Sequence, residues 1–166
     1  MKNTDDQNEE KKLLHDLVSN FDVAMLVTQS NSKSHARPMA IARMEDTMTV
    51  YLVTDLNSVK VEEIKVNPHA LLTFQGPSKF ASLRGELALS LDRTLIELLW
   101  KETWKVWFPK GKSDEGIALL KFTGVEGEFW NGAGIQGLKY AYSATKAYLT
   151  GDRMNTDSEQ HSKVKL

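Results

Sequence analysis

Apolar positions near the amino end recur at helical spacing. Leu13, Leu14, Leu17, Val18 and Phe21 fall on one face of "NEEKKLLHDLVSNF", which predicts an amphipathic helix. The pattern then switches to alternation. "DVAMLVTQ", "SHARPMAIARM" and "TMTVYLVT" read as three consecutive strands, the first two joined by the turn-rich "SNSKS". A short helix is predicted from about Ser58 to Val66, ended by Asn67–Pro68 because the residue before a proline is pushed out of helical geometry. "HALLTFQG" and "KFASLRGELALSL" give two further strands around a Gly-Pro-Ser turn. Asp92 is placed to cap a helix through "RTLIELLWKETWKVWF", which Pro109 stops. "IALLKFTGVEGEFW" returns to strand and "LKYAYSATKAYL" to a last helix.

About six strands joined mostly by short turns, with helices at the margins, predict a mainly β fold: an antiparallel barrel with peripheral helices. A doubly wound parallel sheet would need regular strand–helix alternation, which this chain lacks. The 166 residues suit one domain, over 1–151, followed by a polar tail, 152–166, expected to be flexible in isolation.

Composition narrows the function classes. A formal net charge of -1 gives no electrostatic reason to expect nucleic acid or an anionic membrane as a partner. The absence of cysteine removes disulfides, thiolate metal sites and cysteine nucleophiles. The start, "MKNTDDQNEEKK", is too polar and acidic for a signal or transit peptide, and no apolar run approaches a membrane span. A soluble, cytoplasmic protein is expected. The four histidines are scattered, so no metal site is expected, and Glu62 and Glu63 read as a solvated helix face.

Candidate chemistry gathers at "TDLNSVKVEEIKVNP", residues 54–68. If the helix starts near Asn57 or Ser58, Lys60 sits in its first turn, at the end of the helix dipole that favours anions. Free backbone N–H groups, the Thr54 and Ser58 hydroxyls and the Lys60 ammonium would make a phosphate cradle; the alternative is a merely solvated Lys60. In the strand "SHARPMAIARM", Arg37, Met39 and Ile41 share one face, while Ala36, Pro38, Ala40 and Ala42 share the other. Proline cannot donate to a ladder, so Pro38 marks a sheet edge or a place where pairing ends, where backbone can face a ligand. An Arg37 lying near Ser58 would add a planar fork suited to phosphate; otherwise it is an exposed edge arginine.

"ARPM", the Thr-x3-Ser-x-Lys spacing, "LLTF" and "WFP", taken in order, resemble the FMN-binding split barrels related to pyridoxamine 5′-phosphate oxidase, in their bacterial general stress protein branch. The resemblance runs from about Leu14 to the end of the last helix. It implies a homodimer with FMN (or FAD) in a groove at the subunit interface. Arg37, Ser58 and Lys60 would hold the phosphate, the backbone of Pro38, Met39 and Ala40 would run along the isoalloxazine, and Thr54, after Val53, would contact the flavin. Trp107, beside Phe108 and Pro109, would stack on the ring, whereas Trp100 and Trp104 read as packing. Val59, before Lys60, stands where the oxidase carries a second basic side chain. The carboxyl end also lacks the arginine and histidine arrangement that serves its substrate.

Two other motifs carry no function. "GAGIQG", residues 132–137, matches a dinucleotide fingerprint, but that motif needs a second parallel strand beyond its helix and only a polar tail follows here. "YSATK", residues 142–146, has a dehydrogenase-like spacing but lies too close to that glycine run. The expected function is flavin binding in a redox stress response. The second reading is an oxidoreductase whose FMN takes hydride from reduced nicotinamide or acts on another small molecule. The third is a barrel with a purely structural role.

Overall fold

The computed structural model describes residues 4–131 and 161–166. Helix α1 (Thr4–Val18) leads into strands β1 (Val23–Ser30), β2 (Lys33–Met44) and β3 (Thr49–Asp55). Helix α2 (Val59–Val66) follows, then β4 (His69–Gly76), β5 (Lys79–Ser90) and helix α3 (Arg93–Leu99). Two 3-10 turns, Glu102–Val106 and Gly111–Ser113, precede the long strand β6 (Ile117–Asn131), and β7 (His161–Lys165) completes the described chain.

All pairings are antiparallel. The strand order is β3-β2-β1-β4-β5-β6-β7, and a further β3–β6 pairing closes the first six strands into a barrel. The β1–β2 hairpin turns on Asn31 and Ser32, both with positive φ (50° and 62°), as a two-residue turn matching the twist of paired strands requires. The register shifts between Arg84 and Gly85, which pair with Glu126 and Gly124, leaving Val125 as an extra residue that bends β6 where it crosses β5. Gly85 is needed there because a Cβ would collide with the Thr123 carbonyl.

Two apolar clusters build the interior. The barrel core joins Leu26, Leu52, Leu72, Phe74, Leu83, Leu120 and Phe122, with Leu14, Leu17 and Val18 of α1 closing one opening. Gly127 of β6 lets α1 approach closely, since a Cβ there would strike Leu14. Leu13 was placed on the same face but is 54% exposed, and Phe21 lies beyond the helix, packed edge-on against Phe74. The second cluster lies outside the barrel wall. Tyr51 and Val53 of β3 and Ile117 and Leu119 of β6 meet Ile96, Leu99, Trp104 and Phe108, while Ala40 and Ala42 pack at its margin. Small side chains on that face of β2 are what permit this close second layer.

Three expectations change. The helix capped by Asp92, whose carboxylate accepts from the Leu95 N–H, ends at Leu99 because Trp100 adopts an extended conformation (φ -53°, ψ 133°). The chain resumes as a 3-10 turn that buries Trp104, so the three tryptophans do not form one helical stripe. The polar tail expected from Asp152 contributes β7, which pairs with Glu126–Trp130 of β6 and buries Val164. The last predicted helix, "GAGIQG" and "YSATK" lie outside the described residues. Among the described residues no helix is long and apolar enough to cross a membrane, and no group of three or more His, Asp or Glu side chains is placed to hold a metal.

Candidate functional site

The site begins as a defect in the barrel. Strands β2 and β3 pair at Met44–Val50, Arg43–Tyr51 and Ile41–Leu52, and then separate. Beyond that rung, among the described residues, Lys33–Ala40 pair only with β1 and Val53–Asp55 only with β6. The Ile41 N–H donates to the Asp22 carbonyl (2.8 Å), so alternate positions 39 and 37 also turn their backbone groups towards β1. Pro38 therefore turns its nitrogen towards the side where β3 has drawn away. No ladder bond is forfeited by placing a proline there. This answers why a strand interior tolerates it: at Pro38 the barrel wall is already open.

The opening is a groove of about 480 Å³, within the range of small-molecule sites. Of the residues singled out from the sequence, Pro38, Met39, Ala40, Val53, Thr54, Lys60 and Trp107 line it, joined by Asp55 and Phe108. One wall is the strip Pro38–Ala40 and the other the end of β3. The second apolar cluster supplies the rim: Phe108 is buried, while the neighbouring Trp107 is 60% exposed. Lys101 fastens this layer to the barrel where the strands part, donating from Nζ to the Ile41 carbonyl (3.1 Å).

The polar end of the groove is built by the turn into α2. Ser58 is the N-cap residue, yet its side chain makes no capping bond; its Oγ instead meets the Thr54 Oγ1 at 3.2 Å. Lys60 donates from Nζ to the same Thr54 oxygen (3.2 Å). Two hydroxyls and an ammonium thus converge beside the first turn of a helix, where the dipole favours negative charge. Burial, and then the nearby Arg37 charge, hold the Lys60 ammonium below the ordinary lysine pKa, with Asp55 and Glu63 opposing the shift. An anion bound here would relieve that penalty.

Arg37 stands behind this end rather than in the groove lining. Its Nη2 donates to Glu63 Oε2 (2.8 Å) and its Nη1 to Thr28 Oγ1 (2.5 Å), with the side chain 20% exposed. It is close enough to depress the Lys60 pKa, so the two cations share one electrostatic region. Glu63 corrects the sequence reading: Glu62 is solvated and paired with Lys65, but Glu63 is 5% exposed and turns into the barrel end. Thr28 also donates to it (2.6 Å), and His35 Nδ1 lies 3.2 Å from its other oxygen. These partners, led by the Thr28 and Arg37 hydrogen bonds, hold its carboxyl below the usual range against the opposing effect of burial. Glu63, Asp55 and Phe108 escaped sequence reasoning. The available signal for Glu63 was its position one helical turn after Lys60; for Phe108, it was the neighbouring Trp107.

Comparison with known proteins gives a consistent picture. The family model described as pyridoxamine 5′-phosphate oxidase like matches residues 9–155. General stress protein 26 of Bacillus subtilis (strain 168) is 27% identical over 120 residues, covering 69% of this chain and 84% of the relative. Among solved structures, a Jannaschia sp. CCS1 protein assigned to general stress protein 26 superposes with a TM-score of 0.72 at 22% identity, covering 96% of this chain and 99% of its own. The general stress FMN/FAD binding protein of Xanthomonas citri gives 0.63 at 22% identity, covering 80% and 92%. At these identities the structural matches establish the shared split-barrel fold.

Proposed function

Because the chain belongs to the pyridoxamine 5′-phosphate oxidase-like family, we propose that it is a general-stress-type flavin-binding protein that holds FMN in the groove between β2 and β3. The observation that carries this reading is the parting of the two strands after Ile41–Leu52, which leaves a cleft with its cationic, hydroxyl-lined end at α2. A planar tricyclic ring suits the strip Pro38–Ala40, where small side chains and unshared backbone allow close approach. A phosphate suits Ser58, Thr54 and Lys60, with Arg37 behind them. Val53 and Thr54 face the ring from β3, and Trp107 covers it from the rim. A fold neighbour named as an FMN/FAD binding protein supports the same ligand class.

Bound flavin would supply the electron-accepting chemistry. The chain's own contribution is positional and electrostatic: Lys60 and Arg37 neutralise the anionic group, and the Trp107–Phe108 layer limits water at the ring. Among the described residues no lining side chain is arranged as an obligatory proton donor to a second substrate, which favours holding or buffering flavin over dedicated turnover.

The groove adjoins a face that a second copy of this chain would cover. On the outer side of the sheet, register places Val23 beside Ala40, Met25 between Pro38 and Thr73, and Val27 between Ala36 and Leu71. Val23 and Met25 remain 49% and 36% exposed. These apolar rows run directly into the groove wall at Pro38 and Ala40, so a homodimer would bury them and close the flavin site together. Titration of the purified protein with FMN, followed by flavin absorbance and fluorescence, tests the reading. Saturable binding near one FMN per chain is expected; a colourless protein that leaves added FMN free favours a purely structural barrel.

A further inference from the structure

Resting on the anion site proposed above, we infer that Glu63 is its positioning residue: a buried carboxylate that fixes the Arg37 guanidinium so that its remaining N–H edge serves the anion. Glu63 lies on α2 three residues after Lys60, so a single short helix carries both the ammonium and the anchor of the second cation. Its side chain is only 4% exposed. Oε2 accepts from Arg37 (2.8 Å) and from Thr28 (2.6 Å), while Oε1 faces His35 Nδ1 (3.2 Å). Thr28, itself buried, closes the ring by accepting from the other Arg37 terminal nitrogen.

The geometry does two things. The guanidinium is pinned through both terminal nitrogens, spending two of its five donors and orienting the plane; the others stay available. Glu63 and Asp55 also offset the repulsion between Arg37 and Lys60, which would otherwise drive the two cations apart. A carboxylate next to an anion site weakens the anion if it acts only as a charge. It strengthens the anion if it acts by orienting the arginine. The two roles therefore have opposite signs, and the buried carboxylate oxygen held by both Arg37 and Thr28 points to orientation.

The test is the preference for FMN over riboflavin, which differ in the phosphate, measured by fluorescence titration with wild type, Glu63→Gln, Arg37→Gln and the double variant. Arg37→Gln is expected to reduce the preference by about tenfold or more and Glu63→Gln by at least about threefold, with riboflavin affinity held and the double variant no worse than Arg37→Gln alone. Thr28 supplies a second route should Glu63→Gln fold poorly: Thr28→Val should reduce the preference, and Thr28→Ser, which keeps the hydroxyl, should restore it. Losses that add in the double variant, an unchanged preference in Glu63→Gln, or tighter FMN binding by that variant would each overturn the assignment to Glu63. A wild-type protein without any preference for FMN overturns the anion site itself and this inference with it.

Discussion

Lys60→Ala isolates the electrostatic part of the site. The ammonium is half-buried, donates to Thr54 and sits at the start of α2 beside Arg37. Hydrogen bonds to charged groups are worth about 1.5–3 kcal/mol, and partial exposure discounts the contribution here to about 1–2 kcal/mol. FMN affinity should then fall by about five- to thirtyfold. Riboflavin has no phosphate, so its affinity should change by less than about threefold. Thr54 keeps Ser58 as a partner, which limits the structural damage of the substitution. Fluorescence titrations of both ligands at two salt concentrations measure the effect, and the FMN-specific part should shrink as salt rises. Because the Lys60 pKa lies below that of an ordinary lysine, wild-type FMN affinity should decline with rising pH earlier than a free lysine would dictate, and Lys60→Arg should abolish that decline. Equal losses for FMN and riboflavin in Lys60→Ala would refute the phosphate assignment.

Trp107→Ala should weaken FMN and riboflavin alike, by about two- to tenfold, and relieve quenching of bound-flavin emission; unchanged emission rejects stacking at the rim. Met25→Arg places an unpaired charge in the middle of the outer apolar rows and should convert a dimer to monomer in sedimentation experiments, while a dimer that persists moves the interface elsewhere. Glu63 has a folded-state pKa below its ordinary value, so the stability it adds is complete above the unfolded-state value and is lost as pH falls through the folded one. Glu63→Gln should accordingly be less stable by about 1–3 kcal/mol near neutrality, with the difference narrowing in acid; parallel melting curves at all pH values contradict this. Anaerobic mixing of flavin-loaded protein with reduced nicotinamide should leave the flavin oxidised, and rapid bleaching would favour the oxidoreductase reading.

Local signals carried most of the fold. The strands from Val23 to Ser90 follow alternation and turn composition, and α2 begins and ends where Ser58 and Asn67–Pro68 place it. The groove was legible through a single violation, a proline within an alternating run, because a missing N–H is tolerated only where pairing has ended. Tertiary packing decided what periodicity could not. Trp100, Trp104 and Trp107 have helical spacing, yet burying Trp104 against Tyr51 and Leu119 while Lys101 reaches Ile41 breaks the helix at Trp100. The Arg37–Glu63 pair joins residues far apart in sequence, so the only local mark separating Glu63 from its solvated neighbour Glu62 is its place one helical turn after Lys60. The pairing of β7 with β6 is equally non-local, and its polar residues gave no strand signal beyond Val164.

Amide chemical-shift mapping during an FMN titration tests the central claim most directly. Shifts should concentrate at Pro38's neighbours, at Val53–Lys60 and at Trp107–Phe108, leaving the β6–β7 pairing at Glu126–Trp130 unmoved. Saturable binding with shifts confined to residues remote from the parted β2 and β3 would place the flavin elsewhere and contradict the account.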